Sequence, residues 1–292
     1  MPRWLRWIGR AVAGLVLLVV LAVAALYFVT SRQIQETYDF PDSPVRGAAD
    51  SASLARGRHL AEAIGKCPEC HGADMGGEQW VDEPAFGRLA GANLTTGLGG
   101  IRDYSDADFE RALRHGVGRD GRALIFMPSE AFAPMSDGDL AALIGYLRTL
   151  PPVDRVLPGP KVGPVARALY MGGNFPLLPV KLIDHGASRS TPVPGVTREY
   201  GEYLATIGGC RSCHGLALAG DASPDAPDIT VGRIGGWTEA DFFRSLREGK
   251  RPDGSTLDPE KMPWVRSGLM TDDEMRAVWM YVRSVPAANK EK

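Results

Sequence analysis

The amino-acid sequence predicts an all-α protein: one N-terminal transmembrane helix, then two tandem units of about three main helices each. Three observations carry this. An uninterrupted apolar run occupies residues 11–29. The remainder is two copies of one pattern,. Each copy carries the same short motif, Cys67-Pro68-Glu69-Cys70-His71 in the first and Cys210-Arg211-Ser212-Cys213-His214 in the second. Gly (35) and Pro (22) are abundant among the 292 residues, which suits short helices joined by long loops with little sheet.

The apolar run comes first. Its nineteen residues at about 1.5 Å rise span roughly 29 Å, one bilayer core. Arg3, Arg6 and Arg10 precede it, whereas only Arg32 follows closely, before Glu36, Asp39 and Asp42. The positive-inside rule then places residues 1–10 in the cytoplasm, 11–30 across a bacterial inner membrane and the rest in the periplasm. Trp4 and Trp7 at one end and Tyr27 and Phe28 at the other suit the two interfacial belts. The rival is a cleaved signal peptide, with Ala22-Val23-Ala24 as its cleavage site. Its apolar region would be unusually long, so an uncleaved anchor is the reading adopted. Residues 31–50 form a linker in which Pro41, Pro44 and Gly47 break any helix.

The two units follow, 51–152 and 196–288. Asn93-Leu94-Thr95 aligns with Asp228-Ile229-Thr230, Met127-Pro128 with Met262-Pro263, and Tyr146-Leu147-Arg148 with Tyr281-Val282-Arg283. The first helix of each unit runs into the cysteine motif, over 53–66 and 198–207. The second opens with a capping box, Ser105…Asp108 or Thr238…Asp241, and stops at Gly116 or Gly249. The third opens with Ser136…Asp139 or Thr271…Glu274 and ends at a proline. Gly57 and Gly201, lacking side chains, let the first helix cross close to the third. Residues 153–195, rich in proline, form a linker that wraps on the units.

The motif C-x-x-C-H is the attachment signal of a c-type haem. Two cysteines on one turn each take a vinyl group as a thioether, and the adjacent histidine supplies an axial nitrogen to the iron. Cys67, Cys70, Cys210 and Cys213 are the four cysteines of the chain, so two covalent haems are expected, with His71 and His214 as iron ligands. A dithiol redox pair or a zinc site leaves the two histidines unexplained. Export past the membrane agrees with the motif, because bacterial c-type haem is attached on that side. The net charge of -2 offers no footprint for nucleic acid,.

A methionine thioether is the usual sixth ligand in electron-transfer cytochromes. Methionines recur at matched places twice, as Met127/Met262 and Met135/Met270. Met135 and Met270 stand where a hydrophobic staple residue precedes a helix, and packing explains them. Met127 and Met262 lie in proline-stiffened loops between the second and third helices, so these two are assigned to iron. His59, His115 and His185 have no histidine counterpart in the other copy and are not expected to bind it. Tyr104 and Trp237 occupy matched places before the second helix and are candidate propionate contacts.

Taken together, the Asn-Leu-Thr segment, the Ser-Asp-Ala-Asp-Phe helix start and the Met-Pro…Met-Ser-Asp stretch resemble the cytochrome c family. They are most similar to the multihaem cytochrome subunits of membrane-bound alcohol and sugar-acid dehydrogenases. The resemblance covers about 50–152 and 196–287. It implies that Met127 and Met262 are the sixth ligands. It departs in number, since those subunits typically carry three haem domains and two are read here. The expected function is a dihaem c-type cytochrome, not an enzyme, that relays electrons at the periplasmic face. Its expected partners are the membrane and a redox protein: a dehydrogenase, a quinol-oxidising complex, an oxidase or a soluble cytochrome. The alternative is a dihaem peroxidase with one open or bis-histidine haem. No signalling domain follows Val285, so a haem-based sensor is not expected.

Overall fold

The computed structural model describes residues 2–41, 44–189, 191–220 and 225–287. Asp42 of the charge pattern and residue 288 at the end of the second unit lie outside them. Helix α1 (Arg3–Ile34) is long and apolar enough to cross a membrane, and its apolar residues face outward along its length.

Each repeat is built on one close helix pair. In the first, α2 (Ser51–His59) packs on α6 (Asp137–Arg148); in the second, α8 (Arg198–Ile207) packs on α13 (Asp272–Ser284). The crossing glycines are required by contact. A Cβ on Gly57 would lie 2.0 Å from the Ala142 carbonyl oxygen, and one on Gly201 1.8 Å from that of Ala277. The helices between them are α4 (Asp106–Glu110) and α11 (Glu239–Glu248). Both begin with the expected reciprocal boxes, Ser105 with Asp108 and Thr238 with Asp241. Short helices α5 (Ser129–Phe132) and α12 (Trp264–Ser267) follow the two Met-Pro pairs, and α10 (Val231–Ile234) precedes α11. α2 and α4 each end in a π turn, at Leu60–Ile64 and Arg111–His115, where α8 and α11 are unbroken.

The fold is mostly helical rather than all-α. Strands β1 (Glu78–Glu83) and β2 (Gly87–Gly91) form an antiparallel hairpin, and β3 (Lys161–Val162) pairs antiparallel with β2. The hairpin leaves little trace in the sequence because its strands are short and β1, Glu-Gln-Trp-Val-Asp-Glu, is almost wholly exposed, with no apolar alternation to read,. Phe86 in its turn meets Phe175 edge-on at 5.2 Å between centroids. That contact, with Leu177, Leu178 and Val180 buried nearby, packs the proline-rich segment onto the first repeat. The segment also carries helix α7 (Pro164–Met171).

One hydrophobic core runs through both repeats. The polar contacts between them come in reciprocal pairs, as an approximate two-fold axis produces. Tyr203 of α8 donates to Asp139 of α6 at 2.7 Å, and His59 of α2 donates to Glu274 of α13 at 2.6 Å. Arg266 donates to Glu69 and Ser212 to Glu130; Glu69 and Ser212 are matched, while Arg266 stands one place beyond the counterpart of Glu130. Arg56 closes the centre, bonding Asp139 at 2.9 Å and Glu274 at 2.8 Å. Asp139 is drawn into this network, so Ser136 caps α6 in one direction only.

Burial alone would raise the Glu274 carboxyl, but the His59 hydrogen bond, the Thr271 amide and Arg56 hold it at about 2, below its ordinary 4.5. A depressed carboxylate stabilises the fold fully above its unfolded pKa and loses that as pH falls through the folded one. Contact between the repeats is therefore expected to weaken between about pH 4.5 and 2, at a cost of about 2–3 kcal/mol. Thermal denaturation across that window, compared with Glu274→Gln, measures it. A Gln variant with an unchanged pH slope would remove Glu274 as the cause.

Candidate functional site

Both cysteine motifs fold into a single helical turn, α3 (Pro68–His71) and α9 (Cys210–His214). The residue before each first cysteine is left-handed, Lys66 at φ 53° and Gly209 at φ 72°. This reverses the chain sharply after the preceding helix and presents both sulfurs and the histidine from one turn. All four cysteines are free thiols. Burial pushes Cys67 up to about 12 and raises Cys70, Cys210 and Cys213 as well. A reactive dithiol needs the opposite, a lowered pKa. Among the described residues no group of three His, Cys, Asp or Glu is placed to hold a metal ion. The dithiol and zinc readings therefore lack their chemistry here.

The histidines are oriented identically. Nδ1 of His71 donates to the Ala92 carbonyl at 2.7 Å, and Nδ1 of His214 to that of Pro227 at 2.7 Å. A carbonyl can only accept, so the proton sits on Nδ1 and Nε2 keeps its lone pair. This is the outer partner that fixes tautomer and ring orientation in metal-binding histidines. Burial lowers both ring pKa values, which keeps them neutral.

In the second repeat these groups open on a cavity of about 700 Å³, walled by Cys210, Cys213, His214, Ile229, Trp237, Leu246 and Met262. Met262 thus shares a cavity with His214. Met270, assigned to packing, is buried in the core and also touches this cavity. Met127, half-buried, packs on the core together with Cys67 and Tyr104. Its loop has the same turn as that of Met262: the carbonyls of Met127 and Met262 each accept an amide two residues on, from Ser129 and Trp264, both at 2.7 Å. The two loops are braced differently. Phe126, left-handed at φ 62°, stacks on Phe175 at 4.8 Å, leans on Trp80 at 5.3 Å and donates its amide to Leu177. Its counterpart Lys261 instead makes an exposed ion pair with Asp225.

Several participants were not read from the sequence. Lys261 is already paired with Asp225, and Arg233 and Arg251 line the second cavity beside Asp225, Asp228, Asp253 and Asp258, so its rim carries both signs of charge. Ala63, Ile64 and Lys66 of the first repeat also line it, with the Lys66 ammonium donating to the Gly208 carbonyl at 2.6 Å. Nothing local to Lys66 signals this, because the contact crosses the repeat boundary. Arg148 and Arg283 donate to the carbonyls of Tyr104 and Trp237, respectively, and so tie the third helix to the two candidate propionate residues. The remaining histidines lie elsewhere. His59 bonds Glu274, while His115 and His185 share an Nδ1–Nδ1 contact of 2.8 Å beside Phe40.

Unpaired thiols, a histidine whose Nε2 has no hydrogen-bond partner among the described residues, and a large, mainly apolar cavity fit a covalently held haem. That arrangement defines a c-type cytochrome. The chain belongs to the family described as cytochrome c oxidase, cbb3-type, subunit III, which matches residues 52–147 and 199–282. It is similar to a nicotinate dehydrogenase subunit of Pseudomonas putida, 32% identical over 72% of this chain and 18% of that protein. It is also similar to the cytochrome c subunit of the quinone alcohol dehydrogenase of Gluconacetobacter polyoxogenes, 30% identical over 82% of this chain and 57% of that protein. A dihaem c-type cytochrome of Cereibacter sphaeroides is 28% identical over 94% of this chain and 97% of its own. The chain thus spans less than two thirds of the first two relatives.

Proposed function

We propose that this chain is a membrane-anchored dihaem c-type cytochrome that relays electrons at the periplasmic face of a bacterial inner membrane. The observation that carries this is the duplicated site: in both repeats a free-thiol pair stands next to a histidine whose Nδ1 is engaged and whose Nε2 has no hydrogen-bond partner among the described residues. Haem supplies one-electron chemistry when bound; the protein sets its potential and position. Cys67, Cys70, Cys210 and Cys213 would hold two haems, with His71 and Met127 on one iron and His214 and Met262 on the other. Tyr104 and Trp237 would steady the propionates.

In this reading residues 51–152 and 196–288 are tandem cytochrome c domains, 153–195 wraps between them, and 11–30 crosses the membrane. Residues 1–10 stay in the cytoplasm and 31–50 form the juxtamembrane linker. The names of the relatives favour a dehydrogenase as redox partner; a quinol-oxidising complex, an oxidase and a soluble cytochrome are the other candidates. The matched methionine loops favour two six-coordinate irons over the open site a peroxidase needs.

A pyridine haemochrome assay on the purified protein is expected to return two c-type haems per chain, retained through denaturing electrophoresis. Haem that leaves with acid-acetone, or one haem per chain, would end this reading. Isolation of the native membrane complex identifies the partner.

A further inference from the structure

Helix α7 (Pro164–Met171) has its sides reversed for a water-exposed helix. Its only charged residue, Arg167, is buried with Ala166. Its outer face is Pro164, Val165, Ala168, Leu169 and Met171, all exposed and all apolar. Surface helices in water carry polar groups on that side. The position of α7 along the chain's membrane axis is pinned. The Arg167 guanidinium donates to the hydroxyls of Thr30 and Ser31 in α1 and to the Val162 carbonyl, and it lies 4.4 Å over the Tyr27 ring. Thr30 follows the last residue of the apolar run 11–29. The staple therefore holds α7 at the level where α1 leaves the hydrocarbon, beside the exposed Phe28.

We propose that α7 is an interfacial helix whose Val165, Leu169 and Met171 seat in the outer headgroup boundary of the bilayer that α1 crosses. The occupant is lipid because the apolar face adjoins the end of the membrane helix itself, and amphipathic helices of this kind bury their apolar side at that boundary. The inference rests on the membrane-anchor reading of α1. Its consequence is that α1 is not a free tether: two elements, crossed and stapled, fix the orientation of the cytochrome units over the membrane.

The experiment uses the full-length, haem-loaded protein in phosphatidylglycerol–phosphatidylethanolamine nanodiscs. Single nitroxide labels are introduced through Val165→Cys or Leu169→Cys, and through Leu18→Cys and Leu216→Cys as references within the span and in solvent. With the native thiols held as thioethers, the introduced thiol is the one that labels. Collisional relaxation by oxygen, which concentrates in lipid, is compared with that by a water-soluble nickel chelate. The visible spectrum checks that each variant is folded. Labels at 165 and 169 are expected to fall between the two references, with the ratio of oxygen to nickel accessibility above that at 216 and below that at 18. If they match 216 while 18 reads lipid, the interfacial helix is wrong and the membrane anchor stands. If 18 also reads water, both fall. Labels at 165 and 169 shielded from both relaxants would mean that a protein surface, such as a second copy, covers the face, and the lipid assignment is overturned.

Discussion

Met262→Ala is expected to convert the second haem from low-spin to high-spin while the first stays low-spin. Met262 shares the second cavity with His214, Cys210 and Cys213, and its loop is held by the turn from its own carbonyl to the Trp264 amide. Alanine removes the thioether without disturbing that turn. The opened iron should then bind carbon monoxide when reduced. Its potential should fall, because a ligand that favours the reduced iron is gone. Met127→Ala should do the same to the first haem alone. Met135→Ala is the control: Met135 is 2% exposed, so its loss should cost about 2–5 kcal/mol of stability and leave both haems low-spin. Met270→Ala, whose side chain also touches the cavity, tests the assignment within the second repeat. A Met262→Ala protein that keeps its low-spin spectrum, with a high-spin Met270→Ala protein, would transfer the ligand role to Met270.

The largest effect on folding is expected from Gly201→Ala. The new Cβ would meet the Ala277 carbonyl oxygen at 1.8 Å and the Val278 amide nitrogen at 2.9 Å, both backbone atoms that cannot rotate away. Helices α8 and α13 would have to separate, and with them the packing of Leu204, Met275, Val278 and Val282. The cost is about 3 kcal/mol or more, a loss in Tm on the order of 10–20 °C for a unit of this size. Gly57→Ala should behave alike through Ala142. Gly138→Ala is the counterpart without a clash: nothing lies within 4 Å of its Cβ, and it sits in the first turn of α6, where alanine is neutral or better,. A Tm for Gly201→Ala that equals that of Gly138→Ala would show that the crossing is looser than its geometry.

Features that depend on residues close along the chain were legible before any fold was known. The spacing of Cys67, Cys70 and His71 needs one turn of backbone, and that turn formed in both repeats. The boxes at Ser105 and Thr238 span four residues and closed as expected, and the Met-Pro loops share one local turn. The repeat also exposed Gly57 and Gly201, because two copies of a bare position mark a close approach. Distant partners decided the rest. The carbonyls of Ala92 and Pro227 orient the histidines, but a carbonyl has no residue identity to read. Lys66 enters the cavity of the other repeat, and Tyr203 and His59 exchange partners across the boundary, by contacts that only the packing of the two repeats creates. The β1–β2 hairpin packs through Phe86 on Phe175, about ninety residues on, and pairs with β3. Arg167 reads as a surface cation until α1 supplies Thr30, Ser31 and Tyr27; its burial then turns the apolar side of α7 outward.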